Sequence, residues 1–273
     1  MITQVEVRNT SGDLLTFVLD DTTDGFVFED LEGTDPVKAT LAYSKVQGRS
    51  GGVFQNVQRE NRNLKLILTL EPDYIDTSVY DLRVQLYNFF MPESQVYLRI
   101  FLDNDLVVDI DGYVESCDAP SFVQDPKATI SIVCFDPDFV AIDSVVIEGD
   151  TVDDTEDTTI LYEGNVSTGL KIVLNVDRVL SDFTVYVKAG DNVVRTFPIQ
   201  GSFIADDVIT INSTPDEKAV TLLRDNVTTS ILYAKSPQGE WPVFTRGVYH
   251  FRIYTDGAPI PYTVEYVPRY GGL

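Results

Sequence analysis

Residues Ser78–Met91 read S-V-Y-D-L-R-V-Q-L-Y-N-F-F-M. Val79, Leu82, Leu86, Phe89 and Phe90 fall at i, i+3, i+7, i+10 and i+11, one stripe of a 3.6-residue period. The spacing predicts an amphipathic helix. Ser78 is placed to cap its first turn, Asp81 follows three residues on, and Asp76 lies upstream, where negative charge suits the helix dipole. Pro92 ends it, because the residue before a proline is pushed out of the helical region. Almost everything else reads as strand, so this one helix is expected to lie across a sheet and cover its apolar face.

Upstream, residues 2–9 and 14–19 read as a hairpin around Ser11-Gly12-Asp13, followed by strands at Phe26–Leu31 and Lys38–Val46. Gly48-Arg49-Ser50-Gly51-Gly52 then breaks regularity. It lacks Gly-Lys-Ser/Thr and a following helix, so it is a loop or hairpin tip rather than a phosphate loop, with Arg49 and Phe54 available for contact. In Arg62–Leu70, Leu64, Leu66, Leu68 and Leu70 alternate with Asn63, Lys65, Ile67 and Thr69, the period of a strand with one face buried.

Downstream of the helix, Gln95–Leu102 and Leu106–Val114 flank the turn Asp103-Asn104-Asp105. The first of these is apolar or aromatic on both faces and reads as a central strand sandwiched between layers. Val114–Val123 and Lys127–Phe135 read as a hairpin turning at Asp125-Pro126. Asp143 to Asp157 holds seven acids and no base, the composition of a solvated connector, and its order of acids lacks the EF-hand spacing. Eight short strands then recur between Thr159 and Val267, the pattern of an antiparallel sandwich. The expected fold is mostly β. A β-sandwich-like N-terminal domain (1–140) carries one helix and a protruding loop or hairpin, an acidic connector (141–158) follows, and a C-terminal antiparallel β-sandwich (159–273) ends the chain.

The chain carries 20 Lys and Arg against 43 Asp and Glu, a formal charge of −23. Such a field repels phosphate backbones, which argues against direct nucleic-acid binding; it suits solubility, or a surface that DNA passes without sticking. No run approaches the ~18 apolar residues of a spanning helix, and Met-Ile-Thr-Gln-Val-Glu at the start has neither a basic nor an apolar leader region. A soluble chain made in the cytoplasm, without membrane insertion, is expected. Its two cysteines, Cys117 and Cys134, are then expected free and reduced.

Chemistry is scarce. His250 is the single histidine, which excludes His-rich metal sites and leaves any nucleophilic triad dependent on it. In Val248–Thr255 it shares a strand face with Arg252, opposite Tyr249, Phe251 and Ile253, and reads as an exposed strand residue. Neither a cofactor, a metal nor a catalytic set is expected. Asn165-Val-Ser, Asn212-Ser-Thr and Asn226-Val-Thr match the glycosylation pattern by chance. The lone Trp241, with Tyr233 and Tyr249 nearby, is a candidate sugar-stacking platform, or else fills one end of the sandwich.

The order of several blocks resembles the distal tail proteins of siphophages. These are Arg59 and Arg62–Leu70, then Tyr74, Leu82-Arg83, Leu86-Tyr87 and Phe90, then Val96–Phe101, Gly112–Glu115 and Ser131–Asp138, closing on Cys134-Phe-Asp136-Pro137-Asp138-Phe139. Residues 1–140 resemble that family by motif. The remainder is similar in architecture to the galectin-like C-terminal domain of its longer members, with Tyr162-Glu-Gly164-Asn165 and Pro268-Arg269-Tyr270 as looser matches. The resemblance implies a non-enzymatic virion component, assembled in the host cytoplasm. N-terminal domains of six copies would close a ring around the DNA channel and join the tail tube to tail-tip or receptor-binding proteins, with C-terminal domains outward. Arg49, Phe54, Arg59, Tyr80, Arg83 and Tyr87 are the candidate contacts to a neighbour or to the tube. The competing reading is a host-surface saccharide module in the C-terminal half, on Trp241, Tyr233 and Tyr249.

Overall fold

The computed structural model describes residues 1–273 apart from 22–23, 49, 74, 121–125, 154–155 and 190–191, with backbone alone at 192–194. It forms two compact units, Met1–Ile142 together with Tyr270–Leu273, and Asp143–Arg269.

The first unit contains β1 (Ile2–Asn9), β2 (Leu14–Val18), β3 (Phe26–Glu32), β4 (Ala39–Ser44), β5 (Val53–Arg59), β6 (Arg62–Leu70), α1 (Val79–Phe89), β7 (Gln95–Leu102), β8 (Val107–Asp118), β9 (Lys127–Cys134) and β10 (Phe139–Ala141). Its main sheet runs β2-β1-β7-β8-β9-β6-β3, and β10 also pairs with β8. The two ends of this path meet at a parallel bridge, Leu19 to Phe28, so the sheet wraps around its own core. Strand β6 follows its alternation: Leu64, Leu66, Leu68 and Leu70 are buried while Asn63 and Lys65 face out. Each such leucine contributes about 2 kcal/mol of burial.

Helix α1 starts as its sequence dictates. Ser78 Oγ accepts from the Asp81 N–H at 3.3 Å, and Asp81 Oδ2 accepts from the Ser78 N–H at 3.0 Å, a reciprocal cap. Hydrogen bonding to Ser78 holds the Asp81 carboxyl below its usual pKa. Leu82, Leu86, Phe89 and Phe90 enter the sheet's core, and the Leu82 methyls lie over Gly25, where an added Cβ would stand 3.0 Å away.

One sequence expectation changes here. Strand β7 is central in the sheet, between β1 and β8, but only one face is buried: Tyr97 opens to solvent because no second layer covers the outer face. The turn expected at Asp125-Pro126 falls partly on 121–125, outside the described residues. The strands flanking it, β8 and β9, pair with Cys117 opposite Ile130, and both cysteines are free.

The second unit contains β11 (Val145–Asp150), β12 (Thr158–Tyr162), β13 (Thr168–Gly169), β14 (Lys171–Asn175), β15 (Leu180–Ala189), β16 (Asn192–Phe203), β17 (Val208–Asn212), β18 (Ala219–Arg224), β19 (Val227–Ser230), β20 (Val243–Phe244), β21 (Gly247–Tyr254) and β22 (Pro261–Tyr266). One sheet runs β11-β22-β14-β17-β18-β19, another β12-β21-β15-β16, and β13 pairs with β20. Ile172, Leu174, Ile209 and Val264 from the first sheet share one buried core with Val185, Val187, Phe197, Phe251 and Ile253 from the second. The chain is thus mostly β, with a sandwich in this unit.

Part of the stretch expected as an acidic connector is strand. Val145–Asp150 is an antiparallel strand on β22, in register from Val145 opposite Tyr266 to Asp150 opposite Pro261. It is an edge strand with little buried, and its charges fit an edge that must not recruit another strand. The last residues, Tyr270–Leu273, also belong with the first unit rather than the second.

Candidate functional site

The first unit is locked around Arg62. Its side chain is buried, and each nitrogen donates to a backbone carbonyl: Nε to Pro137 at 2.7 Å, Nη1 to Asp35 at 2.8 Å and to Gly33, and Nη2 to Gly271 at 2.7 Å. The guanidinium stacks 4.3 Å from the Phe139 ring centroid. Burial pulls its pKa down, opposed by the Cys134 and Asp138 side chains. Neighbouring Arg59 ion-pairs with the buried Asp138 carboxylate, so this candidate contact is matched within its own unit.

From this locked base projects the hairpin β4–β5. Its root is tied by the Glu60 N–H to the Lys38 carbonyl at 2.9 Å and by Thr40 Oγ1 to Glu60 Oε1 at 2.9 Å. Beyond the root every residue of both strands is exposed save the half-buried Ser44. Directly opposed residues share a face. Leu41 faces Val57 and Tyr43 faces Phe54, the register shifting between Ala42 and Tyr43 so that Gln55 is the extra residue. That bulge gathers all four apolar side chains on one face, where they are 48–62% exposed. A lone two-stranded ribbon is marginal in water, and an open apolar face this concentrated marks a contact surface.

Phe54 therefore lies on the apolar face, whereas Arg49 lies outside the described residues. On the helix, Tyr80 is exposed. Arg83 and Tyr87 pair with each other, Arg83 Nη2 donating to Tyr87 Oη at 2.8 Å, one turn apart. Of the sandwich aromatics, Tyr249 is buried against Phe244, ring centroids 5.1 Å apart, and has no face to offer a sugar. Trp241 packs on Phe197 at 4.9 Å and fills the edge of the core. Tyr233 alone of the three is fully exposed.

Sequence reading missed a cleft of about 410 Å³ on the outer face of β1, β7 and β8. Leu14, Tyr97 and Val140 are the apolar residues its outer face contributes. Around them stand Glu6, Asp109, Asp111, Asp136 and Asp138, with Arg8 and Arg99 in the lining and Arg59 paired to Asp138. Arg99 is held bidentate by Asp109 at 2.9 and 3.0 Å, which raises its pKa. Also missed was a compositional contrast. Val37–Arg59, the hairpin with its root, contains none of the 43 acids and four of the 20 basic residues.

Among the described residues no group of three or more His, Cys, Asp or Glu is placed to hold a metal ion, and no helix is long and apolar enough to cross a membrane. Burial pushes the Cys117 thiol up to about 11 and the Cys134 thiol up to about 12, the reverse of an activated nucleophile.

No family model and no curated protein matches this chain. Two structures of the phage P2 baseplate in its activated conformation, with Ca and with Sr, are similar at 11% identity and TM-scores of 0.43 and 0.41. They cover 99% and 96% of this chain and 98% and 97% of theirs. The crystal structure of the SPP1 Dit (gp 19.1) protein, a paradigm of the hub adsorption apparatus in phages infecting Gram-positive bacteria, is similar over 97% of this chain and 98% of its own, at 15% identity and a TM-score of 0.66. From its first strand to its last, this chain has the fold of the SPP1 Dit hub protein.

Proposed function

We propose that this chain is a structural hub at the tip of a long, non-contractile phage tail. Six copies close a ring through their first units, surround the DNA channel, and join the tail tube to tail-tip or receptor-binding proteins. The observation that carries the reading is the β4–β5 ribbon, whose apolar face no described residue of the chain covers, on a fold shared end to end with a phage hub protein. A head-to-tail contact of this kind closes into a ring when its rotation divides a full turn. The charge of −23 suits a channel wall that DNA crosses without retention.

Native mass measurement and negative-stain imaging of the full chain, alone and with the tail tube protein, test this. Closed six-fold rings are expected. A chain that stays solitary at high concentration and beside the tube overturns the proposal.

A further inference from the structure

We infer that the open edge of strand β19, Val227–Ser230, receives an extended strand from a second tail protein, one free of acidic residues, which lengthens the sandwich sheet by a strand. The inference rests on the hub reading above and names a contact through which the second unit holds another component. Three observations on this chain carry it.

The first is the backbone. The sheet β11-β22-β14-β17-β18-β19 ends at β19, and among the described residues no strand pairs with its far side. Asp225 and Asn226, with φ of 52° and 60°, make the two-residue turn from β18, and Arg224 stands opposite Val227. In such a hairpin the pair flanking the turn exchanges both ladder bonds, and the pattern alternates from there. Val227 and Thr229 therefore bond inward to β18, as does Ile231 beyond them, whose N–H donates to the Val220 carbonyl at 2.9 Å. Thr228 and Ser230 turn their N–H and C=O groups to the open side. An added antiparallel strand takes up all four groups.

The second is an edge without protection. Natural sheets guard their edges with charge, proline or a covering segment. The other edge of this sheet does so, since β11 carries Glu148 and Asp150. At β19 the run Asn226–Ala234 holds neither charge nor proline, and the strand is exposed throughout. Val227 is 58% exposed, and Leu232 and Tyr233, just past the strand, are 47% and 85% exposed. Val227 and Thr229 share the face on which Leu222 and Ile231 are buried. Alternate side chains of an incoming strand thus extend an existing core.

The third is what the edge excludes. Asp143–Arg269 holds 19 acids and 10 basic residues, so an acidic strand is repelled and a neutral or basic one is not. The β19 edge of another copy would set four residues against four between two acidic units, far below the area of a stable contact. A longer strand from a different protein runs on past Ser230 over Leu232 and Tyr233. Arg224 fixes the edge beforehand: it holds Asp207 through two nitrogens and donates to the Ser202 carbonyl at 3.0 Å, so docking has little left to order.

Hydrogen exchange on the full-length chain, alone and in purified virions, tests this. Alone, the Thr228 and Ser230 amides should exchange freely and the Thr229 amide slowly. In the virion both outward amides should slow at least about a hundredfold. Thr228→benzoylphenylalanine, illuminated in virions, should join the chain to a peptide of another virion protein that contains no Asp or Glu. Thr228→Pro removes one outward donor and spares the ladder to β18, so it should keep the melting curve and abolish the protection at Ser230. If that variant melts early, exchange in the wild-type chain decides alone. Outward amides as fast in the virion as in the isolated chain, or an adduct to another copy or to an acidic peptide, overturn the strand and leave the hub standing. A chain absent from virions overturns both.

Discussion

Nη2 of Arg62 donates a 2.7 Å hydrogen bond to the carbonyl of Gly271, a residue 209 positions further along the chain. One guanidinium thereby clamps the loop at Gly33–Asp35, the turn at Pro137 and the returning tail, while the Leu273 N–H donates to the Thr34 carbonyl at 3.0 Å. The Arg62→Ala variant leaves those buried carbonyls without donors and should destabilise the first unit by about 3–5 kcal/mol. The Arg62→Lys variant should recover little, because an ammonium lacks the planar fork. Urea denaturation of the full chain, followed by circular dichroism, checks both, and a wild-type midpoint in Arg62→Ala contradicts the clamp.

Gly33 is part of the same clamp. Its φ is +90°, and an added Cβ would stand 2.1 Å from the Asn63 carbonyl oxygen, next to Arg62. Substitution Gly33→Ala should cost about 3 kcal/mol through backbone strain and displacement of that strand. Ser78→Ala removes only the helix cap and should cost about 1 kcal/mol. Comparing the two by thermal melts separates a local cap from a structural knot.

In the second unit, Asp207 accepts from Arg224 Nε at 2.7 Å, from Arg224 Nη2 at 2.6 Å and from the Ile204 N–H at 2.8 Å. The arginine holds this buried carboxyl below its usual value of 3.8. A carboxyl depressed in the folded state stabilises above its unfolded pKa, and that stability disappears as pH falls through the folded value. Asp207→Asn should therefore melt well below wild type at pH 7, and the gap should narrow from about pH 4 downward. A gap independent of pH would rule out the carboxylate as its source.

Cys117 and Cys134, with thiols pushed up to about 11 and 12, should both resist a thiol reagent at pH 8 in the folded chain. Two equivalents should react after denaturation, without prior reduction. Immediate reaction of Cys134 in the native chain would contradict its burial, and immediate reaction of the half-buried Cys117 would contradict its raised pKa.

Trp241, seated against Phe197, should behave as a packing residue. Trp241→Ala should lower stability by about 2–3 kcal/mol and leave any glycan-array signal of the full chain unchanged. Loss of such a signal without loss of stability would return this tryptophan to a binding role.

What could be read beforehand follows from range. The α1 stripe, its Ser78–Asp81 cap and the β6 alternation are local periodicities, so they were legible. Strand β11 was hidden because an edge strand buries little and can carry acids, which mimics a solvated linker. Strand β19, in Val227–Ser230, is exposed throughout and has no apolar alternation to announce it. Arg62 stood in the recognised block, yet its partners at 33, 35, 137 and 271 share no spacing, so its burial could not be inferred. Phe54 is conspicuous in sequence only by its nearness to a glycine-rich break. The faces of the hairpin depend on a one-residue bulge that alternation alone cannot locate. For Tyr249 strand alternation points inward while its closeness to Trp241 in sequence suggests a sugar platform, and its packing on Phe244 decides between them.

The tail that Arg62 holds is separated from the rest of its unit by Asp143–Arg269, 127 residues. On a ribosome adding ~5–20 residues per second, the wait between the emergence of the two parts is roughly 6–25 seconds. Throughout that interval the nascent first unit has its hairpin but not its final clasp. Prematurely terminated products carry the adhesive ribbon on an unfastened base, so translation errors upstream of Tyr270 should feed aggregation rather than assembly.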